Sequence, residues 1–219
     1  MRYLISAVVG LVALAGSCHA GEPGAAIASG DAAAARSALT AMLSAAPDIP
    51  QGKGYLAVAR DQADTVQRRL DAAAAPDQDK ASVVRRVGEA LHALDPNYGV
   101  AVSGAADYGL RQALVKAEAS AKASAPLLKG DARLEQVVAA LEAAQSRVDE
   151  AVDFGRAVMV SPSEDVARQG VRAMGIALQR AVDGWDRDGT HVIDWRRGEA
   201  GLNQAEAAAK GLAEPVPSH

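Results

Sequence analysis

Hydrophobic residues recur along this chain at alternating intervals of three and four, the spacing that places side chains on one face of an α-helix. The longest such run follows Asp131, and its repeating positions are Leu134, Val138, Leu141, Gln145, Val148, Val152, Gly155 and Met159. Val137, Ala144 and Ala151 widen the apolar face beyond the seam of a two-stranded coiled coil. The run therefore predicts one long helix, buried at the centre of a bundle.

Shorter runs of the same spacing predict further helices, which prolines or glycines separate. Asp31 is the predicted N-cap of the first helix. Ser161, Pro162 and Glu164 match a capping box, in which Ser161 caps the sixth helix and Glu164 reaches back to the Ser161 amide. The predicted helices cover about 31–46, 53–75, 77–94, 108–124, 131–159, 162–182 and 194–211.

These patterns predict an all-α protein, with a single bundle of about six to seven helices over residues 31–213. Between the third and fourth helices, Tyr98 and Tyr108 stand next to glycines. This stretch is interpreted as a connection whose tyrosines cover the core, with a two-tyrosine binding loop as the alternative. Near 185–194 we expect a short hairpin or an irregular loop, because Asp188-Gly189 is a hairpin-turn sequence.

The segment from 185 to 195 carries the densest polar and aromatic chemistry of the chain. Its candidate ligand-binding or metal-binding residues are Trp185, Asp186, Asp188, His191, Asp194 and Trp195. As a calcium loop the segment would place Trp195 where the closing bidentate glutamate belongs, so it does not match an EF-hand. A transition-metal site of His191 with Asp186 or Asp194 would need further ligands, so no metal is assigned. The structural alternative is that the tryptophans pack the loop against helix ends and that Asp194 caps the final helix.

The chain begins with a segment that is typical of a secretory signal peptide. Arg2 supplies a positive charge, and the apolar run from Leu4 to Gly16 is too short to span a bilayer. The run ends in Leu14-Ala15-Gly16-Ser17-Cys18, a sequence that resembles the lipobox of bacterial lipoproteins. The resemblance implies cleavage before Cys18, acylation of Cys18 with fatty acids such as palmitate, and a membrane anchor.

The same resemblance implies a location. In Gram-negative lipoproteins an aspartate after the acylated cysteine retains the protein at the inner membrane. Here that residue is His19, which implies the periplasmic face of the outer membrane. The predicted organisation is a signal peptide at 1–17, a lipid-anchored flexible tether at 18–30, the bundle at 31–213 and a flexible tail at 214–219. The alternative is ordinary cleavage after Ala20, which would give a soluble periplasmic or secreted protein.

The composition of the chain excludes several classes of function. Cys18 is the only cysteine of the 219 residues, so the chain has no partner for an intramolecular disulfide and no second thiol for catalysis. The formal net charge is −4 and no basic stripe is present, so no nucleic-acid partner is expected. No phosphate-binding glycine motif, haem-attachment motif or nucleophile elbow occurs, and no cofactor is expected.

We therefore expect a non-enzymatic scaffold or interaction protein of the bacterial envelope. Its partners would be the membrane, through the lipid anchor, and another envelope protein. The alternative from a different class is a periplasmic small-ligand or metal-binding protein that uses the loop at 185–195.

Overall fold

The computed structural model describes residues 29–49, 52–102 and 108–213. Their regular elements are α1 (Ser29–Leu43), α2 (Tyr55–Ala74), α3 (Lys80–Leu94), α4 (Leu110–Ser124), α5 (Ala132–Met159), α6 (Glu164–Asp183), a 3₁₀ turn (Trp195–Arg197) and α7 (Leu202–Ala213). These ranges contain no β-strand, so the predicted all-α bundle is confirmed. Across the same ranges, no helix has the length and apolar character that crossing a membrane requires.

Helix α5 lies at the centre of the bundle, as its periodicity predicts, and packs against α3, α4, α6 and α7. Its inward positions are mostly valine and alanine, and Leu141 is fully buried among them. Small residues allow close approach: a Cβ added at Gly155 would lie 2.6 Å from a methyl group of Leu91 and 3.1 Å from the Met174 methyl group. Gly155 therefore lets α3 and α6 pack closely against α5.

The second and third helices are adjacent in the bundle, as their short connection predicts. Helix α3 begins at Lys80, later than the predicted start at residue 77. The reason is the cap: the Asp79 carboxylate accepts a 2.8 Å hydrogen bond from the Ser82 amide.

Two other predicted helix starts are wrong. Helix α1 begins at Ser29, before the predicted N-cap Asp31, so the last two residues assigned to the tether belong to the helix. Ser163, and not Ser161, caps α6: the Ser163 hydroxyl accepts a hydrogen bond from the Val166 amide at 3.3 Å. Glu164 does not close a capping box, because its carboxylate accepts a hydrogen bond from Arg168 at 2.9 Å.

The predicted last helix is divided. Asp194 does not start an α-helix; it caps the 3₁₀ turn, with its carboxylate accepting from the Arg196 amide at 2.9 Å. Gly198 then adopts a left-handed conformation with φ of 69°, which ends the turn. At Gly201 an added Cβ would lie 2.7 Å from the carbonyl oxygen of Ala181, so the backbone touches the end of α6. Two glycines thus separate the turn from α7.

The hairpin expected near 185–194 is not formed. This stretch contains bends and no strand, so the irregular-loop alternative is the one observed. The predicted signal peptide, Cys18, most of the tether and the tail at 214–219 lie outside the described residues.

Candidate functional site

The loop between α6 and α7, residues 184–201, is organised by one buried carboxylate, that of Glu199, which is only 2% exposed. One carboxylate oxygen accepts a hydrogen bond from the Asp194 amide at 2.9 Å, and the other accepts from the Arg187 amide at 3.3 Å. The Glu199 carbonyl oxygen accepts from the Trp185 amide at 2.7 Å. Glu199 therefore joins three points of the loop.

Sequence reasoning missed Glu199, because it was placed within the predicted last helix. The signal that could have identified it is the pair of glycines at 198 and 201, which weaken a helix on both sides of the glutamate. A glutamate held between two helix-breaking residues is free to direct its carboxylate back into the preceding loop.

Glu199 lies beside two of the predicted site residues, Asp186 and Asp188. Each of the three offers a carboxylate oxygen, and these oxygens lie within 4.8 Å of one another. Hard oxygen ligands at such separations are the kind that Ca²⁺ or Mg²⁺ prefers. These are the described residues that could hold a divalent cation.

The oxygens of this cluster already have partners within the chain. The Asp186 carboxylate accepts from the amides of Thr190 at 3.1 Å and His191 at 2.7 Å. Asp188 pairs with the Arg197 guanidinium, and hydrogen bonding from Thr190 together with the Arg197 charge lowers the pKa of Asp188 below its usual value. The cluster can thus hold the loop in shape as a set of internal hydrogen bonds and one ion pair.

The two other polar candidates stand apart from this cluster. The His191 side chain is 97% exposed, and its Nδ1 lies 4.0 Å from an Asp186 oxygen. The backbone of His191 has a φ of 62°, an unusual conformation for a residue other than glycine. The Asp194 carboxylate caps the 3₁₀ turn and lies 3.4 Å from Arg197. The His191 backbone amide is therefore bonded to Asp186 while its imidazole is exposed, and the Asp194 carboxylate caps the 3₁₀ turn.

Trp195 is half-buried, and with Ile193 it packs against the hydrophobic core. The guanidinium of Arg196 lies over its ring, 4.3 Å from the centroid. A single cation over an aromatic ring is a common surface arrangement. Trp195 thus has the packing role that the structural alternative gave it.

Trp185 has different surroundings, because three guanidinium groups lie close to its ring. The distances from the ring centroid are 4.1 Å for Arg180, 5.1 Å for Arg147 and 5.7 Å for Arg187. Arg147 belongs to α5, Arg180 to the end of α6 and Arg187 to the loop. Arg147 also lies 3.7 Å from Glu150. Among the described residues, the side chains of Arg180 and Arg187 have neither an ion pair nor a hydrogen bond to a carboxylate.

This cluster, which we call the Trp185 arginine cluster, consists of Trp185, Arg147, Arg180 and Arg187. Sequence reasoning found only Trp185, because the arginines come from three separate elements and their convergence depends on how α5, α6 and the loop pack. No local spacing in the sequence indicates it. The arrangement concentrates positive charge beside an exposed loop and can attract an anion.

A second polar group lies away from the loop, around Asp48. Its carboxylate accepts hydrogen bonds from the hydroxyl groups of Tyr55 at 2.6 Å and Tyr108 at 2.9 Å. Burial of the ring, with the hydrogen bond to Asp48, raises the pKa of Tyr108 to about 12. Tyr98 has another partner, the Arg156 guanidinium, 5.5 Å from its ring centroid. The two tyrosines near the connection between α3 and α4 therefore have separate contacts, and Tyr108 joins the α1–α2 connection to α4.

Several grooves of the described surface lie between helices. One groove, of about 570 Å³, lies between α2 and α6. Its lining includes Ala63, Leu178 and the half-exposed Ile176. Its charged lining residues, which include Asp64 and Arg172, are those of an ordinary helix surface. No histidine or serine lines this groove beside the charged residues, and no member of the Trp185 arginine cluster lines it.

Comparison with known proteins identifies no relative. No protein-family model matches the chain, and no curated protein and no solved structure is significantly similar to it. The chemistry of the side chains described above is accordingly what bears on function.

Proposed function

We propose that this chain is a lipid-anchored protein of the bacterial envelope, facing the periplasm from the outer membrane, with a non-enzymatic scaffold or interaction role. The observation that carries the proposal is the sequence Leu14-Ala15-Gly16-Ser17-Cys18, which ends an apolar run and includes the only cysteine of the chain. His19 supports the outer-membrane location.

The helical bundle gives such a protein a surface through which it can contact a partner. Near the C-terminal end of α5, Val100 and Met159 both lie close to Gly88, at 3.4 and 3.6 Å from the position of a Cβ added there. Val100 is 53% exposed, and Val160, which follows Met159, is 82% exposed. Exposed apolar side chains that lie together favour contact with another protein.

The anchor is tested by the intact mass of the mature N-terminus, purified from membranes, with a Cys18→Ala variant as the control. The expected result is an acylated cysteine in the native protein and loss of membrane association in the variant. A mature N-terminus at Gly21 without lipid would contradict the anchor. A turnover activity of the purified protein would contradict the non-enzymatic role.

A second candidate function is a periplasmic protein that binds a small ligand or a metal at the loop 185–195. The observation that favours a small anionic ligand is the Trp185 arginine cluster, in which two guanidinium groups have no carboxylate partner among the described residues. Binding to the native state alone would raise the melting temperature by mass action. Calcium, zinc and phosphate are the ligands to test, and an unchanged melting temperature with all three would remove this function.

A further inference from the structure

We propose that the Trp185 arginine cluster binds a phosphate group, carried either by a small solute or by a lipid headgroup. The proposal names the ligand class for the second candidate function, on which it rests. It does not depend on the lipid anchor.

The first argument is charge. The three guanidinium carbons lie within 5.7 Å of one ring centroid, so three permanent positive charges surround a single aromatic ring. Stacking on the Trp185 ring offsets part of their mutual repulsion. A bound anion would offset more of this repulsion, because it would attract all three guanidinium groups at once.

The second argument is that the neighbouring carboxylates form no ion pair with Arg180 or Arg187 among the described residues. Glu150 lies 3.7 Å from Arg147 and offsets part of that charge, but within the described part of the chain it forms no ion pair with Arg180 or Arg187. The Glu199 carboxylate accepts from the backbone amide of Arg187 and not from its side chain. Asp183, which ends α6, accepts a 2.8 Å hydrogen bond from the Asn203 side chain. The guanidinium groups of Arg180 and Arg187 are thus left for a ligand.

The third argument is the match between donors and ligand. A guanidinium that covers a ring face still has N–H donors along its edges, in a planar fork that fits the oxygens of phosphate. A phosphate group has enough oxygens to accept from several guanidinium groups together, whereas a carboxylate has two. A cluster of three arginines therefore favours phosphate.

The cluster is also held in place before any ligand arrives. Arg147 and Arg180 stand on α5 and α6, which pack against each other, and the Trp185 amide is bonded to the Glu199 carbonyl oxygen at 2.7 Å. Groups held by rigid elements lose less freedom when they bind a ligand.

Tryptophan fluorescence of the purified full chain can test the proposal directly. A Trp195→Phe background leaves Trp185 as the only tryptophan, and inorganic phosphate is titrated against chloride at equal ionic strength. We expect a saturable change in emission with phosphate alone. The double variant Arg180→Gln, Arg187→Gln should weaken the binding at least tenfold.

The matched control is Arg196→Gln, which removes the guanidinium at the other tryptophan, 4.3 Å from its ring centroid. It should leave phosphate binding unchanged. An equal loss in the double variant and in the control would mean that general surface charge, and not the cluster, causes the effect, and would overturn the proposal. Circular dichroism verifies that each variant keeps its helices.

A parallel titration separates the two sources of phosphate. It uses vesicles of phosphatidylcholine with and without phosphatidylglycerol, with Trp185 emission as the readout. A response to inorganic phosphate supports a solute, and a response only to phosphatidylglycerol that the double variant abolishes supports a headgroup. No response in either arm overturns the phosphate site. If calcium or zinc still raised the melting temperature, the second candidate function would stand even though the phosphate site had been disproved.

Discussion

The bundle around α5 and the loop between α6 and α7 are stabilised by different forces. In the bundle, buried valine, leucine and alanine side chains pack along a repeating spacing, and the contribution of each depends on its volume. In the loop, the carboxylate of Glu199 accepts hydrogen bonds from the backbone amides of Arg187 and Asp194, at two separate points of the loop. The comparison shows that one part of the molecule is specified by periodicity and the other by hydrogen bonds to individual polar side chains, of which that of Glu199 is buried.

The largest effect is expected in the bundle. Leu141→Ala would leave a cavity beside α5, since Leu141 has no exposed surface. The expected loss of unfolding free energy is about 2 to 5 kcal/mol, measured by denaturant titration. Val115→Ala is the control, because Val115 is 47% exposed, and its effect should stay within about 0.5 kcal/mol. Equal effects of the two substitutions would contradict the packing described here.

A smaller effect is expected from Glu199→Gln in the loop. The glutamine can accept through only one oxygen, and its amide donor would face a backbone N–H, so the expected loss is about 1 to 3 kcal/mol. Hydrogen exchange of the Arg187 and Asp194 amides should accelerate while that of α5 changes little. The control is Glu142→Gln, whose carboxylate is 54% exposed. Unchanged exchange at both loop amides would show that Glu199 does not hold the loop.

The smallest effect is the pH dependence of the loop through Asp188. Because the folded-state pKa of Asp188 lies below the ordinary value of 3.8, its charged form stabilises the fold above that value. This contribution is lost as the pH falls through the lower folded-state pKa. Tryptophan fluorescence should show less acid dependence in Asp188→Asn than in the native protein, with helical content similar in both. The exposed Asp64→Asn is the control, and an acid response that Asp188→Asn leaves unaltered would rule out this role.

The sequence predicts the bundle well, because apolar spacing directly reports which side of a helix is buried. It also identifies the loop, through its two tryptophans and three aspartates. The sequence does not predict the exact first residues of α1, α3 and α6, which are Ser29, Lys80 and Glu164. Several polar residues near each start could serve as the cap. Where Ser161 and Ser163 flank a proline, only the structure distinguishes the capping serine.

Local sequence patterns could not predict which side chains meet inside the candidate site. Asp186 and Asp188 were predicted, but Glu199 joins them only because the chain leaves the helical path at two glycines. Arg147 and Arg180 reach Trp185 through the packing of α5 on α6. Such convergence depends on tertiary contacts between residues far apart in the sequence.

The position of α1 has a mechanical consequence. Helix α1 packs on α4 and α2, and it is the first described element after the predicted anchor. Tension between a membrane and the bundle would thus load the α1–α4 contact first. Near its start α1 buries only the small Ala35, whereas Met42 near its end is large and fully buried, so the first turns of the helix would detach more easily than the last. The bonds from Tyr55 and Tyr108 to Asp48 lie just beyond α1, where they would resist further extraction of the chain.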